Sequence, residues 1–159
     1  MSDSEAKSSV GLGFSMYKKI MIAFDESKEA EQALASGIEL AKELGAELRL
    51  ITVSEPLPAY AAYMDVEMPG ARQRLLHERN AFYANLQKEG MRQASAAGLT
   101  VQGVVVEGNE VDSIVNHLAT WGADLLVIGR RHHSLLSRVW GGTVHNIAER
   151  ACCSILAVC

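Results

Sequence analysis

At 159 residues, 48% of them hydrophobic and 21% charged, the chain suits one domain with a single core, and its apolar content excludes disorder for most of its length. A formal net charge of −4 argues against a nucleic-acid binder, which carries a surplus of Lys and Arg to meet backbone phosphates. No apolar run reaches the roughly 18 residues of a membrane span, and the N-terminus lacks the basic-then-apolar order of a signal peptide, so the expectation is a cytoplasmic protein without membrane insertion.

Residues 1–16 are polar and Ser/Gly-rich with no period that buries a face; they read as a flexible leader ahead of one domain at 17–159. Gly11 and Gly13 precede the first strand, whereas a phosphate fingerprint needs glycines after one. KKIMIAF at 18–24 is the first strand, and Asp25-Glu26-Ser27 then suits a helix N-cap. Over 29–44, Ala30, Ala33, Leu34, Gly37, Ile38, Ala41 and Leu44 form one apolar stripe, and Gly45 is the helix stop. AELRLITV at 46–53 is the second strand. Residues 54–71 hold all three prolines together with Tyr60, Tyr63, Met64 and Met68, and proline's missing donor predicts a structureless connection, a lid or a mobile segment. A long helix follows over 72–97, with Leu75, Leu76, Phe82, Tyr83, Leu86, Met91, Ala94 and Ala97 as its apolar side and Gly90 as a weak point.

LTVQGVVV at 99–106 is the third strand, and Asn109 caps a helix over 110–121 whose apolar face is Val111, Ile114, Val115 and Leu118. Asp124 opens the fourth strand, apolar throughout from Leu125 to Ile128 and therefore expected to be buried on both faces. Val144, Ile147, Ala148 and Ala151 mark a last helix, and SILAV (Ser154–Val158) a fifth strand. Strands alternating with helices predict an α/β fold: a doubly wound, five-stranded parallel sheet of order 3-2-1-4-5 with helices on both faces, the apolar first, fourth and fifth strands fitting that burial. The three cysteines, Cys152, Cys153 and Cys159, have neither disulfide-framework nor C-x-x-C spacing and read as small buried apolar residues around the last strand.

The chemistry concentrates in GRRHHSLLSRVWGGT, from Gly129 to Thr143. Gly129 lets the backbone leave the fourth strand, Gly141-Gly142 allow close approach, and Thr143 is a natural N-cap. First-turn amides with Arg130, Arg131 and Arg138 nearby make an anion site, and phosphate is the expected anion. In the predicted strand order, progression reverses between strands one and four, so Asp25 and Gly129 converge on one crevice. Asp25 has no evident nucleophile or catalytic partner in the sequence, the adjacent His132 and His133 lack zinc-site spacing, and neither a Walker lysine motif nor a magnesium carboxylate pair is present. No catalytic residue, no metal site and no enzyme activity beyond weak ATP hydrolysis are expected.

These residues resemble the universal stress protein family. An opening strand ending in Asp25, EGN at 107–109, and CSILAV with Ser154 where the family usually has proline carry the similarity, which covers about 17–159. The family's G-x2-G-x9-G-S/T nucleotide motif reads here as Gly129, two residues, His132, nine residues, Gly142 and Thr143. The resemblance implies a binder of ATP or another adenine nucleotide, with or without Mg. Asp25 and Val53 would hold the adenosine end, and Ile128, Gly129, Gly142, Thr143 and Val144 would line ribose and phosphates beside Arg131. His132 departs from the family glycine: its side chain either obstructs the phosphates or donates a hydrogen bond to them. The expected role is a dimeric stress-response sensor or regulator, paired through Ser154–Val158, whose unpaired edge the residues also suggest. Its alternative is a nucleotide-independent interaction protein of the same fold.

Overall fold

The computed structural model describes residues 16–130 and 142–159. Five strands, β1 (Lys19–Ala23), β2 (Glu47–Ser54), β3 (Val101–Glu107), β4 (Leu125–Gly129) and β5 (Ser154–Val158), form one parallel sheet of order β3-β2-β1-β4-β5, as the alternation predicts. The helices are α1 (Lys28–Leu44), α2 (Met64–Glu67), α3 (Ala71–Ala96), α4 (Glu110–Trp121) and α5 (Thr143–Arg150).

Successive strand residues point to opposite faces, and the central strand builds a core on each. Ile20, Ile22 and Phe24 of the β1 segment pack with Ala33, Leu34 and Ala41 of α1 and Ala94 of α3. Met21 and Ala23 pack with Ile114 and Leu118 of α4 and Ile147 of α5. Leu34, Ile114 and Leu118 are essentially inaccessible, and each such side chain contributes about 1.5–3 kcal/mol by leaving water.

Local signals set the boundaries. Ser27 Oγ accepts from Ala30 N at 3.1 Å to cap α1, and Gly45 ends that helix at φ 62°, a left-handed conformation that glycine takes without a Cβ penalty. Asn109 Oδ1 accepts from Asp112 N at 3.1 Å to cap α4.

Several expectations are corrected. Residues 54–71 are not structureless: a 3-10 turn at Ala59–Ala62 and α2 occupy much of them, since proline at 58 fixes the turn's first dihedral and leaves the following amides free to donate. Phe82 does not belong to the buried side of α3; it is 49% exposed and meets Tyr83 edge to face. Gly90 is not a weak point but the position where α3 sits down on the sheet, a Cβ there lying 2.9 Å from Phe24 Cε1 and 3.0 Å from Leu50 Cδ1. β5 is not buried on both faces as β1 and β4 are; every one of its residues is exposed or half-exposed, because only one side of it pairs, with β4. The cysteines beside it are likewise not buried: Cys152 and Cys159 are exposed and Cys153 half-buried.

Candidate functional site

Strand progression reverses between β1 and β4. At the carboxyl ends of these strands the chain opens into a cleft of about 950 Å3, at the upper end of the roughly 300–1,000 Å3 typical of small-molecule sites. Its walls are apolar, from Ala23, Ile51, Val53 and Ile128 of the strands, Ile114 of α4 and Ala148 of α5. Its rim is charged, with Asp25, Glu26, Glu55 and Glu110 against Arg130, and His145 nearby.

Asp25 follows β1, and its Oδ1 accepts from Ser27 N at 2.8 Å and from Ser27 Oγ. It thereby shapes the turn into α1, whose Ser27 and Ala30 line the cleft. Gly129 ends β4 where the first turn of α1 crosses it; a Cβ there would collide with the Glu29 backbone and lie 2.7 Å from Ala30 N. Glycine at 129 is therefore needed for helix-on-strand packing, whatever else it does. On the opposite lip, Arg79 of α3 donates from Nη1 to Glu55 O at 2.9 Å and pairs with Glu107, which fixes the chain leaving β2.

Helices α1, α4 and α5 direct their N-termini at this cleft. Those of α1 and α4 carry side-chain caps from Ser27 and Asn109, whereas α5 has none among the described residues. Thr143 is not the cap expected of it. Gly142 holds that position in extended backbone, φ −72° and ψ 170°, and Thr143 is the first helical residue, its Oγ1 donating to Glu110 Oε2 at 3.1 Å. The hydroxyl is drawn to α4 by that carboxylate, which leaves the first-turn amides of α5 without a side-chain acceptor. A second tie, Arg150 Nη1 to Asp112 Oδ1 at 2.7 Å, holds the two helices side by side. A Cβ on Gly142 would meet nothing within 4 Å among the described residues, so neither its dihedrals nor those residues require glycine there.

Asp25, Val53, Ile128, Gly129, Gly142, Thr143 and Val144 all line this one cleft. Arg131 and His132 lie outside the described residues, as do His133, Arg138 and Gly141. Sequence reasoning missed Tyr83, Glu55 and Glu110. Tyr83 reads in the sequence only as part of the apolar side of its helix, and Glu55 follows β2 in a segment read for its prolines, tyrosines and methionines. Glu110 carried a signal that went unused: it opens a helix at the carboxyl end of a strand, the end where such folds bind ligands.

The sequence profile of the universal stress protein family matches residues 16–158. The chain is 26% identical over 151 residues to universal stress protein YxiE of Bacillus subtilis (strain 168), covering 90% of this chain and 99% of that protein. Among solved structures, a universal stress protein in complex with cAMP aligns at TM-score 0.69 and 25% identity over 89% of this chain and 96% of that one. The universal stress protein of Archaeoglobus fulgidus in complex with dAMP shares the fold at TM-score 0.64 and 17% identity, over 91% of this chain and 99% of that one. With sheet order, strand-end cleft and profile in agreement, the chain belongs to the universal stress protein family.

Proposed function

We propose that this protein is a nucleotide-binding stress protein whose cleft takes an adenine nucleotide between β1 and β4, and that it works as a dimeric sensor or regulator rather than as an enzyme. The observation that carries the reading is the N-terminus of α5. It opens on the cleft with no side-chain cap among the described residues, behind a glycine for which those residues give no steric reason. Amides at the positive end of a helix favour an anion, and a glycine, lacking a Cβ, lets a phosphate approach the backbone. The apolar slot at Val53 and Ile51 suits a flat base, Asp25 suits the polar edge of the adenosine, and Ile128, Gly129, Gly142, Thr143 and Val144 lie where ribose and phosphates would follow. Arg131 and His132 belong to the same loop in sequence. Structures of similar proteins with cAMP and dAMP support an adenine nucleotide.

Rim electrostatics bear on which nucleotide. Asp25, Glu26, Glu55 and Glu110 outnumber Arg130 among the described rim residues and oppose a concentrated phosphate charge. A monophosphate, or a triphosphate carrying Mg that offsets its charge, suits this rim better than a bare triphosphate. Chromatography of the supernatant from heat-denatured purified protein, followed by calorimetry with AMP, cAMP, ADP and ATP with and without Mg, tests the proposal. We expect a released adenine nucleotide, or saturable binding of at least one of the four. No release, and no binding at millimolar nucleotide, would leave the nucleotide-independent interaction protein as the better reading.

A further inference from the structure

The amino ends of β1, β4 and β5 lie at the edge of the parallel sheet opposite the nucleotide cleft. A second pocket, of about 410 Å3, opens there among Met16, Tyr17, Asp124, Cys152 and Cys153. Adjacent residues in a strand point to opposite faces, which would separate neighbouring thiols. Cys152 and Cys153 instead occupy the bend between the end of α5 at Arg150 and the start of β5 at Ser154, and both line the same pocket. Cys152 is exposed and Cys153 half-buried, so reagents reach the pair. Among the described residues no group of three or more His, Cys, Asp or Glu is placed to hold a metal ion. What this end of the sheet offers is two thiols and, from Met16, a thioether, all soft donors.

We propose that Cys152 and Cys153 form a two-thiol site for soft, thiol-seeking centres of the trivalent arsenical class. With an organoarsenic oxide, two As–S bonds form, the As–O bond is lost, and the two thiol protons leave with that oxygen as water. No electrons change hands, so neither oxidant nor reductant is needed. The product ring contains one more atom than a disulfide between the same neighbours and has longer bonds, so it closes through the bend with less distortion than the narrow geometry of an S–S bond demands. Burial first, and the neighbouring Cys152 second, push the Cys153 thiol above its ordinary range. That disfavours attack as a thiolate but is compatible with a condensation that consumes the thiol proton. Cys159 takes no part within the chain: at roughly 3.3 Å per residue along β5 it lies on the order of 20 Å from Cys153.

The test is titration of the reduced full-length protein with phenylarsine oxide, read by intact mass and by a count of free thiols. We expect one arsenical per chain, with the three thiols of the sequence reduced to one. A dithiol such as dimercaptopropanol should remove the arsenical, and an equal excess of the monothiol mercaptoethanol should not. Cys152→Ser and Cys153→Ser should each lose monothiol-resistant uptake, while Cys159→Ser retains it. Removal by monothiol in the wild type, which needs no variant, would overturn the proposal. So would retention by Cys152→Ser or loss in Cys159→Ser.

Discussion

A Cβ built on Gly129 would strike the Glu29 backbone, whereas one on Gly142 meets none of the described residues within 4 Å; the two glycines that bound the arginine- and histidine-rich loop therefore predict opposite phenotypes. Gly129→Ala should destabilise the fold by about 1–3 kcal/mol, the usual range for overpacking, seen as a lower urea midpoint. Gly142→Ala should melt within about 0.5 kcal/mol of wild type, as ordinary surface changes do. Gly142→Asp sets a negative charge at the proposed phosphate position and should weaken nucleotide binding without lowering the melting temperature. Unchanged affinity in Gly142→Asp would refute the site assignment. His132 bears on the same question from the sequence alone. We expect His132→Gly to cost about 1–3 kcal/mol of nucleotide affinity, the range for a lost charge-assisted hydrogen bond. Level or tighter binding by His132→Gly on calorimetry would show that the imidazole obstructs.

Among the elements, α3 departs most from its sequence pattern. Its predicted apolar side includes the exposed Phe82 and omits Gln87, which is 5% exposed and donates to Val104 O at 2.9 Å and Thr52 Oγ1 at 3.1 Å. Thr52 Oγ1 in turn donates to Phe24 O at 2.8 Å, so the amide links α3 through β2 to the residue before Asp25. Gln87→Ala removes these hydrogen bonds inside the protein, a loss of about 0.5–1.5 kcal/mol. Because Gln87 Oε1 has no partner of its own among the described residues, the loss should fall toward the lower figure, and two-state denaturation measures it. On the solvent side of the same helix, hydrogen bonds from Arg92 and then Gln93 lower the Glu89 carboxyl from 4.5 to about 2. A carboxylate with a depressed folded-state pKa stabilises above its unfolded value and loses that contribution as pH falls. Glu89→Gln should therefore flatten the acid limb of the stability profile between pH 4.5 and about 2, and only slightly, since this group is fully exposed. An unchanged acid limb would show that the Arg92 pairing adds nothing.

For the molecule as a whole, the sheet ends in two unpaired edges, β3 and β5. β3 carries Gln102, Gly103 and Glu107, with Gln102 held by Arg49 and Glu107 by Arg79, whereas β5 is SILAV without a charge and with Leu156 37% exposed. Charged and glycine-interrupted edges resist pairing, and uncharged apolar ones invite it, so the proposed homodimer joins through Ser154–Val158. Light scattering at micromolar concentration should give twice the 17.2 kDa chain mass. Leu156→Lys should return the monomer mass, and Val105→Lys on the other edge should not. A monomer mass for the wild type would remove the dimer from the proposed function.

The sequence by itself determined the alternation of strands and helices, the burial of β1 and β4 on both faces and, with the 3-2-1-4-5 order that alternation admits, the meeting of Asp25 and Gly129 at one cleft, because periodicity, caps and connection handedness are local properties that limit the fold to few arrangements; Val53 and Gly142 were placed there by the family resemblance. Only the tertiary structure decided the rest. Thr143 gave up the cap because Glu110, thirty-three residues earlier, accepts its hydroxyl. Gly90 turned from a weak point into a contact because Phe24 and Leu50 lie beneath it. Tyr83 and Glu55 joined the cleft because α3 packs over the end of β2 and Arg79 ties the lip down. Each of these outcomes depends on a partner distant in the chain, and no local pattern records which distant side chain will be there.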